Sequence, residues 1–153
     1  MANFYESKAA RTVSLGLAVE RAAALPPQTT LANLFTVVGG RVLLKQIIGE
    51  VTVEIGAVAN NTNLEFNPDD AARGDLCAVL NITGDAVGTV YGITGTAANA
   101  MLDGTVTIAK QATELILKPG VIELHCAGAS VTGAIKWTVI YVPIDDGAYV
   151  EVA

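Results

Sequence analysis

The stretch GVIELHCAGASVTGAIKWTVIYVPIDDGAYVEV, Gly120 to Val152, is the key to the architecture. Ile122, Leu124 and Cys126 alternate with Glu123 and His125, and Ile135, Trp137, Val139 and Tyr141 alternate with Lys136, Thr138 and Ile140. Strict period-two patterning means a strand with two different faces. The stretch therefore predicts three short strands separated by turns, and it contains no residue arrangement suited to catalysis.

The same reading extends back along the chain. Lys118-Pro119-Gly120 is a tight turn that feeds the first of these strands. Leu115 and Leu117, and before them Val106 and Ile108, suggest two more strands. Val87 to Thr94 reads as a strand, as does the alternating set Leu76, Ala78, Leu80 and Ile82. Asn60 to Asn63 and Asn67-Pro68-Asp69-Asp70 read as turns around a short strand at Leu64 to Phe66. Thr96 to Asp103 is a loop or one helical turn. Arg41 to Val58 is ambiguous. Leu43, Leu44, Ile47 and Ile48 have helical spacing, whereas Val51, Val53 and Ile55 alternate; β-branched content favours a long strand bent at Gly49. Leu31 to Val38 is a strand that ends at Gly39-Gly40. Residues 12 to 19 alternate as a strand, and Glu20 to Leu25 suits a helical turn stopped by Pro26-Pro27. Residues 1 to 11 mix aromatics with charge and lack periodicity, which predicts an arm. The expectation is an all-β single domain over 12–153, a β-sandwich, jelly roll or barrel of about nine to ten short strands, preceded by an N-terminal arm over 1–11.

Composition narrows the function classes. The hydrophobic fraction is 52% and the charged fraction only 16%, so one domain of 153 residues has little charge with which to cover its surface, and subunit contacts are expected to cover part of it. Net charge is −6 with Lys and Arg scattered singly along the chain, which argues against a nucleic-acid partner. No apolar run is long enough to span a bilayer as a helix, so no membrane partner is expected. The apolar run after Lys8 and Arg11 is broken by Glu20 and Arg21 and alternates, unlike a secretory signal. Cys77 and Cys126 both sit in apolar alternating segments, which predicts buried free thiols made in a reducing cytoplasm, with a disulfide between them as the alternative.

No candidate site survives comparison with its plainer reading. His125 is the sole histidine, falls on the Glu123 face, and has no serine in a G-x-S-x-G turn to work with. Cys126 is its neighbour on a strand, so the two point to opposite faces and cannot share a metal ion. Asp69, Asp70 and Asp75 suit turns better than a calcium loop. Gly92-Ile93-Thr94-Gly95-Thr96-Ala97 lacks the Lys and the helix of a phosphate loop. Trp137 and Tyr141, on one alternating strand, are expected in the core or at a subunit interface. The chain thus reads as having no catalytic, metal or cofactor-binding residues, and as not an enzyme.

Two segments carry a resemblance. The first is Leu34-Phe35-Thr36-Val37-Val38-Gly39-Gly40-Arg41-Val42-Leu43 followed by Ile48-Gly49-Glu50-Val51-Thr52. The second is Gly120-Val121-Ile122-Glu123-Leu124 continued by Thr132-Gly133-Ala134-Ile135-Lys136-Trp137 and Tyr141-Val142-Pro143-Ile144-Asp145-Asp146-Gly147-Ala148. Over roughly residues 31 to 152 the chain resembles small tailed-bacteriophage proteins that decorate, or cement, the capsid. The resemblance implies a β-rich knob, a homotrimer, that binds across joints between subunits of the major capsid protein. It also implies a place on the capsid exterior after synthesis in the host bacterial cytoplasm. A tail or fibre component and a carbohydrate-binding β-sandwich are the alternatives. On this reading Phe4 and Tyr5, in the arm, are candidate capsid contacts.

Overall fold

Gly16 divides what reads in the sequence as one alternating run. The computed structural model describes residues 8–153. In it Lys8–Leu15 is a helix, α1, and the chain then turns into a strand, β1, at Leu17–Ala24. Gly16 has φ +102°, and its N–H donates to the Thr12 carbonyl at 2.9 Å, closing the last turn of α1. A left-handed glycine just past a helix end is the ordinary way such a helix stops. The expected strand over 12 to 19 is corrected accordingly. Its first part is helical, and the expected helical turn at Glu20 to Leu25 is, as far as Ala24, the continuation of β1. Of the proposed arm, residues 8–11 belong to α1, while Phe4 and Tyr5 lie outside the described residues.

The remaining strands run β2 Leu31–Val38, β3 Val42–Val53, β4 Asn61–Pro68, β5 Gly74–Asp75, β6 Leu80–Asn81 and β7 Val90–Gly92. They continue as β8 Leu102–Gly104, β9 Leu115–Leu117, β10 Gly120–Cys126, β11 Ala134–Pro143 and β12 Tyr149–Val152. They form two antiparallel six-stranded sheets packed as a β-sandwich. Sheet A has the order β1-β11-β3-β7-β8, with β9 also paired to β3. Sheet B has the order β12-β2-β10-β4-β5, with β6 also paired to β4. The all-β expectation holds, with twelve strands instead of nine or ten because several are two or three residues long.

The ambiguous region over 41–58 resolves as one strand through Val53. Its irregularities lie at Lys45 and Thr52, each an extra residue opposite β11, and not at Gly49. Gly49 instead makes room for a ring. It is the cross-strand partner of Trp137, and a Cβ there would sit 2.8 Å from carbons of the indole. The segment 76–82 is not the strand its alternation suggests. Leu76 donates its N–H to the Leu64 carbonyl, Ala78 forms an isolated bridge with Ala100, and only Leu80–Asn81 joins the ladder. Leu76, Cys77 and Ile82 are buried because the segment covers the sandwich, not because it crosses a sheet. Val106 and Ile108 likewise lie in a loop between β8 and β9.

The core lies between the sheets. Ile47, Val51, Tyr91, Ile135, Trp137 and Val139 of sheet A meet Leu34, Phe35, Leu64, Ile122 and Leu124 of sheet B, all buried. Tyr91 stacks on Trp137 at a 6.3 Å centroid distance, and its hydroxyl donates to Asp85 Oδ2 at 2.6 Å. Cys77 and Cys126 are buried free thiols. Burial pushes the Cys77 thiol up to about 11, and it raises Cys126 as well.

Candidate interaction surface

The outer faces of the two sheets differ in chemistry. On sheet B, Glu123 of β10 stands directly opposite Glu65 of β4, and Glu65 opposite Asp75 of β5. Like charges directly opposite one another destabilise a sheet. Here Arg73 compensates them, with Nε 2.7 Å from Glu123 Oε2 and 3.5 Å from Glu65 Oε2. His125 Nδ1 lies 3.2 Å from Glu65 Oε1. His125 therefore sits on the polar face, as its register predicted, in a group of ionic side chains with no nucleophile. Glu123 is 5% exposed, an outward-facing acid that the alternation alone would leave in water. Asp70 pairs with Lys118 at 2.6 Å, and that hydrogen bond lowers its pKa. Asp75 accepts from Asn63 Nδ2, and among the described residues no three acidic, His or Cys side chains are grouped as metal ligands. Of the serines, Ser130 is fully buried and receives a hydrogen bond from Asn60, while Ser14 lies on α1.

Trp137 and Tyr141 are both buried within the single chain, at 1% and 4% exposure, and belong to its core.

Sheet A presents a different outer face. Val142 of β11, Leu43 of β3 and Ile116 of β9 are register partners, so they form one lateral row of three branched aliphatics pointing away from the core. Outward positions on a solvated antiparallel sheet are ordinarily polar. Ile116 is nevertheless 64% exposed and Val142 37%. The row continues onto α1. Val13, 87% exposed, shares a depression with Leu17, Val142 and Pro143. Leu15 and Ile140 line a second depression of about 230 Å³ with Ser14, Lys45, Gln46 and Lys110. A third, of about 360 Å³, shares Leu15 and Ile140 and adds Lys8 and Arg11.

Local folding explains how these residues come together. The bulge at Lys45 sets Lys45 and Gln46 side by side along the same depression. The loop bearing Lys110 is pinned over the sheet. Gln111 donates its backbone N–H to Gln46 Oε1 at 2.7 Å and its side-chain amide to the Thr113 carbonyl at 2.8 Å. Ile108 packs where Gly92 and Gly104 present no side chain; a Cβ at Gly92 would lie 2.6 Å from Ile108 Cδ1. Four basic residues thus rim one apolar face. Arg41, Arg73, Lys118 and Lys136 are each held by a carboxylate within 3.3 Å, and Lys45 on this rim pairs with Glu114 at 4.0 Å. Sequence reasoning missed this rim because its members are spread from position 8 to position 110. Only the sheet register and the bulge bring them together.

No protein-family model, curated protein or solved structure matches the chain.

Proposed function

We propose that this protein is a non-enzymatic structural component of a bacteriophage virion that decorates the capsid exterior. It stabilises the shell by binding across joints between subunits of the major capsid protein, as a homotrimeric knob. The observation that carries the reading is the outward row Val142–Leu43–Ile116 beside α1, an apolar strip on the solvent side of an otherwise self-sufficient sandwich. Such a strip has the chemistry of an interface core, and its basic rim that of an interface border. The resemblance of residues 31–152 to capsid cement proteins supplies the setting. The protein would be made in the bacterial cytoplasm, where the buried thiols Cys77 and Cys126 stay reduced. Of the two alternatives, a sugar-binding sandwich would ordinarily present an exposed aromatic platform, and the sole tryptophan is in the core. The experiment is co-sedimentation of purified protein with undecorated phage shells. Saturable binding, with a stoichiometry set by the shell lattice, supports the reading. Binding to tail preparations in preference to shells overturns it.

A further inference from the structure

We infer that the groove along α1 on the outer face of sheet A receives an extended segment of the shell subunit that is both apolar and acidic. This inference rests on the capsid reading for the identity of the partner, and on the surface itself for the partner's chemistry.

Charge gives the first half of that chemistry. The chain carries a net charge of −6, yet Lys8, Arg11, Lys45 and Lys110 gather around two adjoining depressions that share Leu15 and Ile140. A positive rim on an acidic protein selects an acidic partner, and the overall field disfavours general association with other acidic surfaces. Lys110 is exposed and Lys45 only partly so, with a 4.0 Å contact to Glu114. Both ammonium groups can therefore turn to a carboxylate that enters the depression between them.

The floor supplies the second half. Leu15 and Ile140 line both basic-rimmed depressions, the outward row Val142, Leu43 and Ile116 lies on the same face of sheet A beside them, and among the described residues no aromatic ring lines either depression. A nucleic acid backbone would satisfy the lysines but leave the aliphatic row in contact with charge. An extended peptide with alternating apolar and acidic side chains meets both demands, because its period of two directs one set down and the other to the rim. Residues of β3 and β11 line the groove, and Gln111 and Ile108 hold the Lys110 loop against the sheet.

The test uses the purified full chain and three probes: a decapeptide alternating Leu and Glu, its Leu–Lys counterpart, and duplex DNA. The Leu–Glu peptide is expected to bind. Its affinity should fall about tenfold between 50 and 300 mM salt, as a rim of exposed charges requires. Lys110→Gln should weaken binding several-fold and Lys45→Gln with Lys110→Gln about tenfold or more. Ile116→Ser should weaken it at constant charge. Lys118→Gln, which removes the same charge outside this groove, should leave it unchanged. The inference is overturned if the Leu–Lys peptide binds as well, if neither peptide binds, if Lys118→Gln matches Lys110→Gln, or if DNA binds in preference. These outcomes are read without any shell. A failure here leaves the co-sedimentation result standing, and absence from shells leaves the peptide result standing.

Discussion

The indole of Trp137 lies against the backbone of Gly49, its cross-strand partner between β11 and β3. The site of a Cβ on Gly49 is 2.8 Å from ring carbons. The ring is 1% exposed and stacks on Tyr91 on its way into the core. Gly49→Ala should therefore force the ring or the strand to move and cost about 1–3 kcal/mol, as overpacking of a close-packed core does. Urea denaturation followed by tryptophan fluorescence reads this directly. A midpoint unchanged within error would show that the sheet yields freely at this point.

Trp137→Ala tests the same contact from the other side. Truncating a buried aromatic leaves a cavity and should cost about 3–5 kcal/mol. Circular dichroism follows this unfolding, since the only tryptophan is removed. The loss should be larger than for Gly49→Ala, and the two substitutions should not be additive, because the ring that the added methyl would strike is gone. Additive losses in the double variant would separate the two residues energetically.

The buried thiol of Cys77 gives the stability a pH dependence of known sign. Its pKa is raised from 9.0 to about 11, first by burial and further by the charge of Asp75, against a lowering hydrogen bond from the Leu64 N–H. The neutral thiol is the favoured form in the fold. Its contribution is thus fully present below pH 9 and is lost as the pH rises towards 11, because the unfolded chain releases the proton first. The loss over that window is on the order of 2–3 kcal/mol. Denaturation of Cys77→Ala across the same window should show a shallower decline than the parent protein. Equal slopes would assign the dependence elsewhere. In the native protein neither thiol should react with a disulfide reagent at neutral pH, and both should react after denaturation.

The oligomeric state is a separate expectation. Light scattering after gel filtration should report a homotrimer, in which exposed apolar residues such as Val131 and Val106 are available for subunit contacts. A monomer at micromolar concentration would contradict it.

Legibility in the sequence followed the reach of the interactions. β2, β10 and β11 are long strands whose alternating side chains meet the opposite sheet, so Leu31 to Val38 and Ile135 to Tyr141 could be placed by pattern alone. The strand reading of residues 12–19 failed because Val13, Leu15, Leu17 and Val19 keep their alternation across Gly16, while one left-handed residue changes the element. Leu76 to Ile82 misled for a related reason. A segment that covers a core can carry the same alternation as one that crosses a sheet. The basic rim had no local signal at all, since Lys45 reaches it through a bulge and Lys110 through a loop tied down by Gln111. The buried Glu123 was hidden likewise, because its neutralising partner Arg73 lies fifty residues away in sequence.

Cryo-electron microscopy of purified virions puts the capsid reading to its plainest trial. Density for this sandwich is expected on the outside of the shell, at the joints between major capsid subunits, with α1 and the Val142–Leu43–Ile116 row turned towards the lattice. Density confined to the tail, or a shell with no copy of the chain on it, would contradict that reading.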